Sequence, residues 1–572
     1  MNTRENFEKW LNYDKLEESL KKELLEIKDD ENEINERFST ALSFGTAGLR
    51  GIIRAGTNGM NIYTVRQATQ GLANLIKKNG KDAMNAGVAI AYDSRICSDT
   101  FSIEAAKVLA GNGIKVFLFE SLRPTPMLSF AIRYLKTTAG IVVTASHNPA
   151  KYNGYKAYWS DGAQLPPEES QIVFEEMQKV DIFDGVVSMD YDKAVSEGII
   201  KIISKEVDEP YYEYIMSLSI NPDALKNTDL KVVYTPFHGA GNIPVRTVLD
   251  RMGLKNVTVV KEQELPDGRF PTVKSPNPED SEGFVIAREY AKKVDADIIV
   301  GTDPDSDRVG LLLKNSSGEY EILNGNQIGI VLVNYVLEGL KKNNKIPANG
   351  VIIKSIVTTN MINEIARAYN VKVMNVLTGF KYIGEKIKQF EADKSHTYLF
   401  GFEESFGYLS GTKARDKDAV NASMLICEAA AFYKKQGKTL KEVLDSIYEK
   451  YGYYTEKTIS VTYEGLSGIQ KIKDMMENLV KNPPKEFAGV KVLYVNDYLN
   501  SVRTNAQTNE TEPFDFEKSN VLSYDLEDGT LLTIRPSGTE PKIKAYVMTK
   551  GKTQAQAEEN KEKFTNAIRK LI

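Results

Sequence analysis

Short apolar segments rich in β-branched residues alternate with helix-like segments along most of the chain, and this alternation restricts the fold more than any other feature. The pattern begins with residues 87–95 and continues, after a helix-like segment, with the runs 114–121 and 140–149. Apolar strands connected through helices are typical of mostly parallel sheets covered on both faces. The alternation starts again at 230–241 and at 350–359, so the sequence predicts three α/β units.

The last part of the chain has a different order of elements. Several spaced strand-like runs precede one terminal helix-like segment, residues 553–572, which argues for an α+β domain. A chain of 572 residues is long enough for roughly three to five domains. We therefore predict an α/β protein with three doubly wound domains and a C-terminal α+β domain, at 1–207, 208–318, 319–452 and 453–572. Residues 1–38 are expected to form one or two amphipathic helices that cap the first domain.

Composition excludes several classes of protein. Apolar residues make up 42% and charged residues 26% of the chain, as in folded globular proteins. The formal net charge of -5 gives no support for nucleic-acid binding. The two cysteines, Cys97 and Cys427, suit a reducing compartment. The N-terminus lacks the apolar core of a signal peptide, and the apolar run 328–337 is too short to span a bilayer, so we expect a cytoplasmic protein without membrane association.

Three aspartates at alternate positions, Asp303, Asp305 and Asp307, directly follow an apolar strand-like run. Ligand sites in open α/β sheets lie at the carboxyl ends of strands, and hard oxygen donors match the needs of Mg²⁺ or Ca²⁺. A solvated acidic turn is the alternative. A calcium loop of the EF-hand type is disfavoured because its Gly and its distal Glu are missing at the required spacing. The segment therefore predicts a metal site.

Ser146 stands at the end of another apolar run, with His147 beside it and Lys156 ten residues further on. The Ser-His-Asn-Pro segment alone is typical of a turn. A nucleophilic hydroxyl, however, needs a base and a means of offsetting phosphate charge, and His, Lys and a metal would supply both. No G-x-S-x-G motif surrounds Ser146, so a serine hydrolase is disfavoured.

Cationic and hydroxyl side chains cluster near the C-terminus in a pattern that suits a phosphate dianion: Arg535, Ser537, Thr539 and Lys542, with Gly538 allowing close approach of the backbone. Glu403 and Ser405 follow another strand-like run and could bind sugar hydroxyls, although a turn that ends the strand explains them equally well. Arg50 is expected to lie in a glycine-rich loop. Lys354 is a cation within an apolar strand, which is costly unless it faces the strand end or an anion.

Four segments, residues 144–156, 301–308, 401–408 and 535–542, in this order and at these separations resemble the α-D-phosphohexomutase superfamily. The likeness extends over nearly the whole chain and is greatest to the bacterial α-phosphoglucomutase branch. It implies four domains around a central cleft, and an isomerase that interconverts glucose 1-phosphate and glucose 6-phosphate through a phosphoserine enzyme and a bisphosphorylated sugar. One departure is Ala419, where many relatives have Gly; it concerns the local backbone rather than the chemistry.

The resemblance also implies a role for each matching residue. Ser146 is expected to carry the phosphoryl group and to complete a Mg²⁺ site with the three aspartates. Phosphate contact or proton transfer is implied for Arg50, His147, Lys156 and Lys381. Arg308, beside the aspartates, is also expected to be a catalytic residue. Sugar binding is implied for Glu403 and Ser405 with the neighbouring Thr378 and Gly379, and binding of the non-reacting phosphate for Arg535, Ser537, Gly538, Thr539 and Lys542. Lys156 is the first candidate for the general base, because nearby cations could lower its pKa, and His147 is the second.

The expected cofactors are one Mg²⁺ per active site and glucose 1,6-bisphosphate as activator and intermediate. The expected partners are sugar phosphates, with no nucleic acid and no membrane, and the protein is expected to be a monomer or a small homo-oligomer. A mannose phosphate or pentose phosphate mutase remains a close alternative. A sugar-phosphate phosphatase and a non-enzymatic calcium-binding or sugar-sensing protein are more distant ones.

Overall fold

The computed structural model describes residues 2–44, 48–463, 465–537 and 542–572. The chain forms two compact units. The first unit contains residues 1–324, 384–393 and 405–437, and the second contains residues 325–383, 394–404 and 438–572.

Three short helices form the N-terminal part of the first unit: α1 (Thr3–Leu11), α2 (Glu18–Glu26) and α3 (Glu31–Phe38). Trp10 and Phe38 pack with Tyr63 in an aromatic cluster that is separate from the core of the first sheet. The sequence predicted one or two helices here. Three form because the Asp30 side chain accepts the N–H groups of Asn32 and Glu33, which starts a new helix after α2 ends.

The first α/β domain has six strands: β1 (Gly48–Ile52), β2 (Val88–Tyr92), β3 (Val116–Phe119), β4 (Ala139–Val143), β5 (Tyr152–Trp159) and β6 (Ile200–Ile203). Their order in the sheet is β1-β5-β4-β2-β3-β6. Its helices are α4 (Ile62–Lys78), α5 (Lys81–Ala86), α6 (Ser98–Gly111), α7 (Thr125–Leu135), α8 (Pro167–Gln178), α9 (Tyr191–Ser196) and α10 (Lys205–Ser217). All residues of β3 and β4 are buried, as expected for strands of a sheet covered on both faces.

The second α/β domain, also in the first unit, has five strands: β7 (Val232–Thr235), β8 (Val257–Val259), β9 (Ile298–Thr302), β10 (Val309–Lys314) and β11 (Tyr320–Ile322). Their order is β11-β10-β9-β7-β8. The helical segments are α11 (Asn242–Arg251), α12 (Val285–Val294) and the 3₁₀ turns Lys261–Gln263 and Ser281–Phe284. The turn between β9 and β10 carries the three aspartates.

The region between residues 325 and 451 contains the third set of elements: α13 (Gly325–Lys342), β12 (Gly350–Ser355), α14 (Met361–Ala368), β13 (Lys372–Val376), α15 (Phe380–Asp393), β14 (Thr397–Glu403), β15 (Gly407–Leu409), α16 (Ala419–Lys434) and α17 (Leu440–Tyr451). Strand β12 pairs in parallel with both β13 and β14. The carboxyl ends of β12 and β14 therefore lie at the same edge of this sheet.

The C-terminal domain contains β16 (Tyr453–Thr462), α18 (Gly465–Lys481), β17 (Glu486–Phe487), β18 (Val490–Asp497), β19 (Val502–Asn505), β20 (Thr511–Pro513), β21 (Leu522–Leu526), β22 (Leu531–Pro536), β23 (Lys542–Gly551) and α19 (Gln554–Arg569). The sheet is antiparallel, with the order β16-β23-β22-β21-β18-β19-β20, and β17 pairs with β18. Both helices contribute apolar side chains to the core of this sheet.

The predicted class, four domains with three α/β units and a C-terminal α+β domain, is confirmed. The α/β sheets are less uniformly parallel than the sequence suggested, because β5, β10 and β11 run antiparallel to their neighbours. In the part of the chain that the structure describes, no helix is both long enough and apolar enough to cross a membrane.

Candidate active site

Ser146 lies in the turn that follows β4 and has a left-handed backbone conformation, with φ of 52°. This conformation is uncommon for a residue with a Cβ atom. The Ser146 N–H donates to Thr144 Oγ1 at 2.7 Å, and only 3% of the residue is exposed. Unfavourable backbone conformations persist only where the surroundings enforce them, and they are frequent at functional sites.

A buried arginine, Arg95, fixes the turn that carries Ser146. Its guanidinium donates to four backbone carbonyl oxygens, those of Ser146, Asn148, Pro149 and Tyr152. The bonds to Pro149 and Tyr152 measure 3.1 and 3.0 Å. One rigid fork of donors therefore determines the path of the whole turn.

Asp93 anchors this arrangement from the end of the neighbouring strand β2. Its carboxylate accepts the Arg95 N–H at 2.9 Å and the Thr144 hydroxyl at 2.6 Å. Burial raises the pKa of Asp93, and the Arg95 guanidinium opposes this shift. Neither residue was predicted from the sequence. The available signal was the Asp-Ser-Arg segment at the carboxyl end of a strand that runs parallel to β4.

The three aspartates lie beside the Ser146 hydroxyl. Ser146 Oγ donates to Asp303 Oδ2 at 2.7 Å, although the two residues belong to different domains of the first unit. Asp303, Asp305 and Asp307 are buried, and one carboxylate oxygen of each lies within 4.8 Å of the others. The predicted proximity of the serine to the acidic segment is therefore present in the structure.

The acidic group has unsatisfied acceptors. Asp305 Oδ1 and Asp307 Oδ1 are buried without a hydrogen-bond partner. Burial, together with the negative charges of Asp305 and Asp307, raises the pKa of Asp303 well above its usual range. These hard carboxylate oxygens lack hydrogen-bond donors and repel one another, so their chemistry fits a divalent cation such as Mg²⁺.

Lys156, on β5, forms ion pairs with the same carboxylates. Its Nζ lies 2.9 Å from Asp305 Oδ2 and 3.5 Å from Asp307 Oδ2, and Thr125 Oγ1 also donates to Asp305 Oδ2 at 2.9 Å. We expected nearby cations to lower the pKa of Lys156. That expectation is wrong for this arrangement: burial lowers the pKa, but Asp305 and Asp307 outweigh burial and raise it. Lys156 is therefore held as an ammonium cation.

Lys417 is a second lysine at this centre, and the sequence did not predict its role. Its Nζ lies 3.1 Å from Asp307 Oδ2 and 3.0 Å from Asp416 Oδ1. Asp416 is itself fixed by the Tyr158 hydroxyl, which donates to its Oδ2 at 2.7 Å. The only signal in the sequence was a lysine between two aspartates directly before a helix.

His147 places a ring nitrogen close to the serine hydroxyl, with 3.4 Å between Nδ1 and Ser146 Oγ. Burial, followed by the positive charges of Arg308 and Arg50, lowers the pKa of His147 well below its usual value. The imidazole is therefore neutral at physiological pH and able to accept a proton.

Two arginines surround this centre in the first unit. Arg50 lies on β1 rather than in a loop, and its Nη1 donates to Asn148 Oδ1 at 3.4 Å. The Arg308 N–H donates to Asp303 Oδ1 at 3.0 Å, and its Nη1 donates to Glu279 Oε1 at 2.8 Å. Both cations are thus brought to the segments that carry Ser146 and the aspartates.

The second unit brings together part of the predicted sugar-binding set. The Gly379 N–H donates to Glu403 Oε1 at 2.6 Å, and Gly379 has a φ of 121°, which favours glycine. Arg535 from the C-terminal domain donates to the hydroxyl of Thr378. Lys381 follows in the first turn of α15.

Arg535, Ser537 and Lys542 of the predicted phosphate-binding set lie at or next to the end of β22 and the start of β23, two paired strands that we call the phosphate hairpin. The Ser537 N–H donates to the Lys542 carbonyl oxygen at 2.7 Å, and Arg535 lies at the end of β22. Gly538 and Thr539 lie outside the described residues. Ser405 follows β14 in a segment that belongs to the first unit.

Sequence comparison places these elements in a known family. Four domain models of the phosphoglucomutase/phosphomannomutase family match the chain: alpha/beta/alpha domain I over residues 41–182, domain II over 209–318, domain III over 324–451, and the C-terminal domain over 475–567. The chain belongs to the phosphoglucomutase/phosphomannomutase family. The resemblance inferred from the four motifs is thereby confirmed.

Members of this family from staphylococci are similar to the chain over nearly its full length. A protein named phosphoglucomutase from Staphylococcus saprophyticus is 38% identical over 537 residues, which cover 94% of this chain and 95% of that protein. A protein of the same name from Staphylococcus aureus strain MRSA252 is 38% identical over 536 residues, which cover 93% and 94%.

Solved structures share the fold at lower identity. A phosphoglucomutase/phosphomannomutase family protein from Burkholderia thailandensis matches with a TM-score of 0.66 and 18% identity, covering 92% of this chain and 97% of that chain. Parafusin from Paramecium, in an open form, matches with a TM-score of 0.68 and 17% identity, covering 93% and 94%. These likenesses concern the fold alone.

Proposed function

We propose that this family member is a phosphoglucomutase, an isomerase that interconverts glucose 1-phosphate and glucose 6-phosphate through a phosphorylated serine. The observation that carries the proposal is the distance of 2.7 Å between Ser146 Oγ and Asp303 Oδ2 in a buried triad of carboxylates. A phosphoryl group on this hydroxyl would share a cation with the aspartates. Relatives named phosphoglucomutase, 38% identical over 94% of the chain, support glucose phosphates as the substrates.

Asp303, Asp305 and Asp307, with a phosphoryl oxygen on Ser146, would hold one Mg²⁺. Bound there, the ion would offset the negative charge of the transferring phosphoryl oxygens. Lys156 and Lys417 contact the same aspartates and keep two further positive charges beside the serine. Catalysis then depends on positioning and on charge stabilisation in a buried site.

In the first half of the reaction, the free hydroxyl of a sugar monophosphate attacks the phosphorus on Ser146. The bond between phosphorus and the sugar oxygen forms as the bond to Ser146 Oγ breaks, and the product is a sugar bisphosphate. The sugar hydroxyl gives up its proton as Ser146 Oγ takes one up, and we assign the proton at Ser146 Oγ to His147, because its imidazole is neutral and lies 3.4 Å from that oxygen. In the second half, the other phosphate of the bisphosphate returns to Ser146 by the reverse steps.

Further residues of the predicted site lie in the second unit, and their chemistry suits the rest of a sugar phosphate. Arg535, Ser537 and Lys542 on the phosphate hairpin suit the phosphate that is not reacting, and Glu403 suits sugar hydroxyls. Each of the two phosphates of the sugar bisphosphate must bind to the phosphate hairpin in turn. The hairpin should therefore contact the phosphate group rather than the sugar ring. Glucose 1,6-bisphosphate would then act as activator, because it can phosphorylate Ser146 directly. The active species would be a monomer or a small homo-oligomer.

Coupled assays test the substrate class. Turnover with Mg²⁺ is compared for glucose 1-phosphate, mannose 1-phosphate and ribose 1-phosphate, with the Ser146→Ala variant as control. Glucose 1-phosphate is expected to give the highest kcat/KM, and the variant is expected to give none. A higher kcat/KM with mannose or ribose phosphate would assign the chain to that activity instead, and release of free phosphate without isomerisation would identify a phosphatase.

A further inference from the structure

Lys354 is a fully buried lysine in β12 of the second unit. Its Nζ donates to the Thr358 carbonyl oxygen at 2.9 Å and to Asn360 Oδ1 at 3.2 Å, both in the turn that leads to α14. Burial lowers the pKa of Lys354 to about 7, although Glu404 and Glu456 oppose the shift. An apolar side chain would fill this space without the free-energy cost of desolvating a charged group. Packing alone therefore does not explain a lysine at this position.

One of the two facing carboxylates belongs to the acidic pair, Glu403 and Glu404, at the end of β14. Glu404 Oε2 accepts hydrogen bonds from Ser355 Oγ and Thr358 Oγ1, each at 3.1 Å. The Glu404 N–H donates to Thr358 Oγ1 at 3.2 Å. The acidic pair is therefore attached to the same turn, residues 355–360, that the Lys354 ammonium holds.

The other facing carboxylate, Glu456, comes from β16, the first strand of the C-terminal domain. It accepts hydrogen bonds from Thr359 and Asn326, while its Oε1 is buried without a hydrogen-bond partner. Burial raises the pKa of Glu456 to about 7, and Lys354 and Lys561 oppose this shift. Tyr448 on α17 is a further titratable group near this carboxyl.

We propose that Lys354 is a positioning residue that holds the acidic pair and the C-terminal domain in one fixed geometry for substrate binding. Lys354 is bonded to the 355–360 turn, and the same turn bonds Glu404 through Ser355 and Thr358 and Glu456 through Thr359. The C-terminal domain carries the phosphate hairpin, so this geometry sets the separation between the groups for the sugar and those for its phosphate. The inference rests on the proposed function.

The Lys354→Met variant tests the inference, because methionine has a similar length and no charge. The KM for glucose 1-phosphate and the Kd for glucose 6-phosphate, measured by calorimetry, are expected to rise about 10-fold or more. The kcat for glucose 1-phosphate and the extent of Ser146 phosphorylation, both measured at saturating sugar phosphate, should remain near the wild-type values, because that chemistry belongs to the first unit. Lys372→Met, at an exposed position of the neighbouring strand β13, is the matched control and should change none of these quantities.

A second variant separates positioning from packing. Lys354→Met combined with Glu456→Gln removes both charges while keeping both shapes, and the KM and Kd are expected to return to within about threefold of wild type. A single variant with a lowered Tm but unchanged KM and Kd would show a purely structural lysine and overturn the proposal. A double variant that binds as weakly as the single one would also overturn it. Wild-type protein without mutase turnover would instead refute the proposed function.

Discussion

Replacing Arg95 by methionine is expected to damage both the stability of the first domain and the placement of Ser146. The Arg95 and Asp93 side chains are completely buried, with Arg95 Nε 3.4 Å from Asp93 Oδ2. Methionine would leave the Asp93 carboxylate buried without its cation. Removal of one partner of a buried ion pair costs about 3–5 kcal/mol, and the four carbonyl acceptors of the Ser146 turn would lose their donors as well.

The activity should fall together with the stability. Without the guanidinium, the left-handed turn at Ser146 loses the contacts that enforce it, and a displacement of a catalytic group by about 1 Å can cost roughly 100-fold in rate. Urea unfolding gives the stability, and a coupled assay under saturating glucose 1-phosphate gives kcat. The Arg95→Lys variant keeps the positive charge but lacks the several N–H donors of the guanidinium. Compared with Arg95→Met, it should recover part of the lost stability and a smaller part of the lost kcat.

Arg4→Met, at an exposed position of α1, is the control and should change the free energy of unfolding by less than about 0.5 kcal/mol. The reasoning is refuted if Arg95→Met unfolds within about 1 kcal/mol of wild type and retains kcat within about threefold.

Three further outcomes are expected. Chelation of divalent cations should abolish turnover, and added Mg²⁺ should restore it. The Asp305→Asn variant should need a higher Mg²⁺ concentration for half-maximal rate. Unchanged activity in the presence of chelator would contradict the metal site. Arg535→Ala should raise the KM for glucose 1-phosphate about 10- to 100-fold through loss of a charge-assisted hydrogen bond, and an unchanged KM would exclude the phosphate hairpin from binding. Burial raises the pKa of Asp418 to about 6 from its usual 3.8, so its contribution to stability is present below pH 3.8 and is lost as the pH rises to 6. The difference in unfolding free energy between wild type and Asp418→Asn should therefore shift by up to about 3 kcal/mol across this window, and a difference that is independent of pH would contradict the assignment.

The sequence predicted the centre around Ser146 because two simple rules converge there. Ser146 and the three aspartates both follow apolar strands, and α/β sheets place ligand groups at the carboxyl ends of strands. Residue type then predicted a nucleophile at the serine and metal ligands at the aspartates. Neither step needed knowledge of contacts between distant segments.

What the sequence did not predict depends on such contacts. Whether cations or carboxylates surround Lys156 is decided by β5 packing against the turn after β9, more than 140 residues away. Lys417 and Arg95 gain their roles only when their own loops reach Asp307 and the Ser146 turn. A lysine or an arginine in a loop has no local signature for such a role.

The path of the phosphoryl group tests the central claim most directly. Enzyme carrying a labelled phosphoryl group on Ser146 is mixed with glucose 6-phosphate in a single turnover, with Mg²⁺ or with chelator. We expect the label to move from the protein to glucose 1,6-bisphosphate when Mg²⁺ is present and to stay on the protein when it is not. Label that is absent from Ser146, that remains there despite Mg²⁺, or that appears as inorganic phosphate would contradict a mutase acting through this serine.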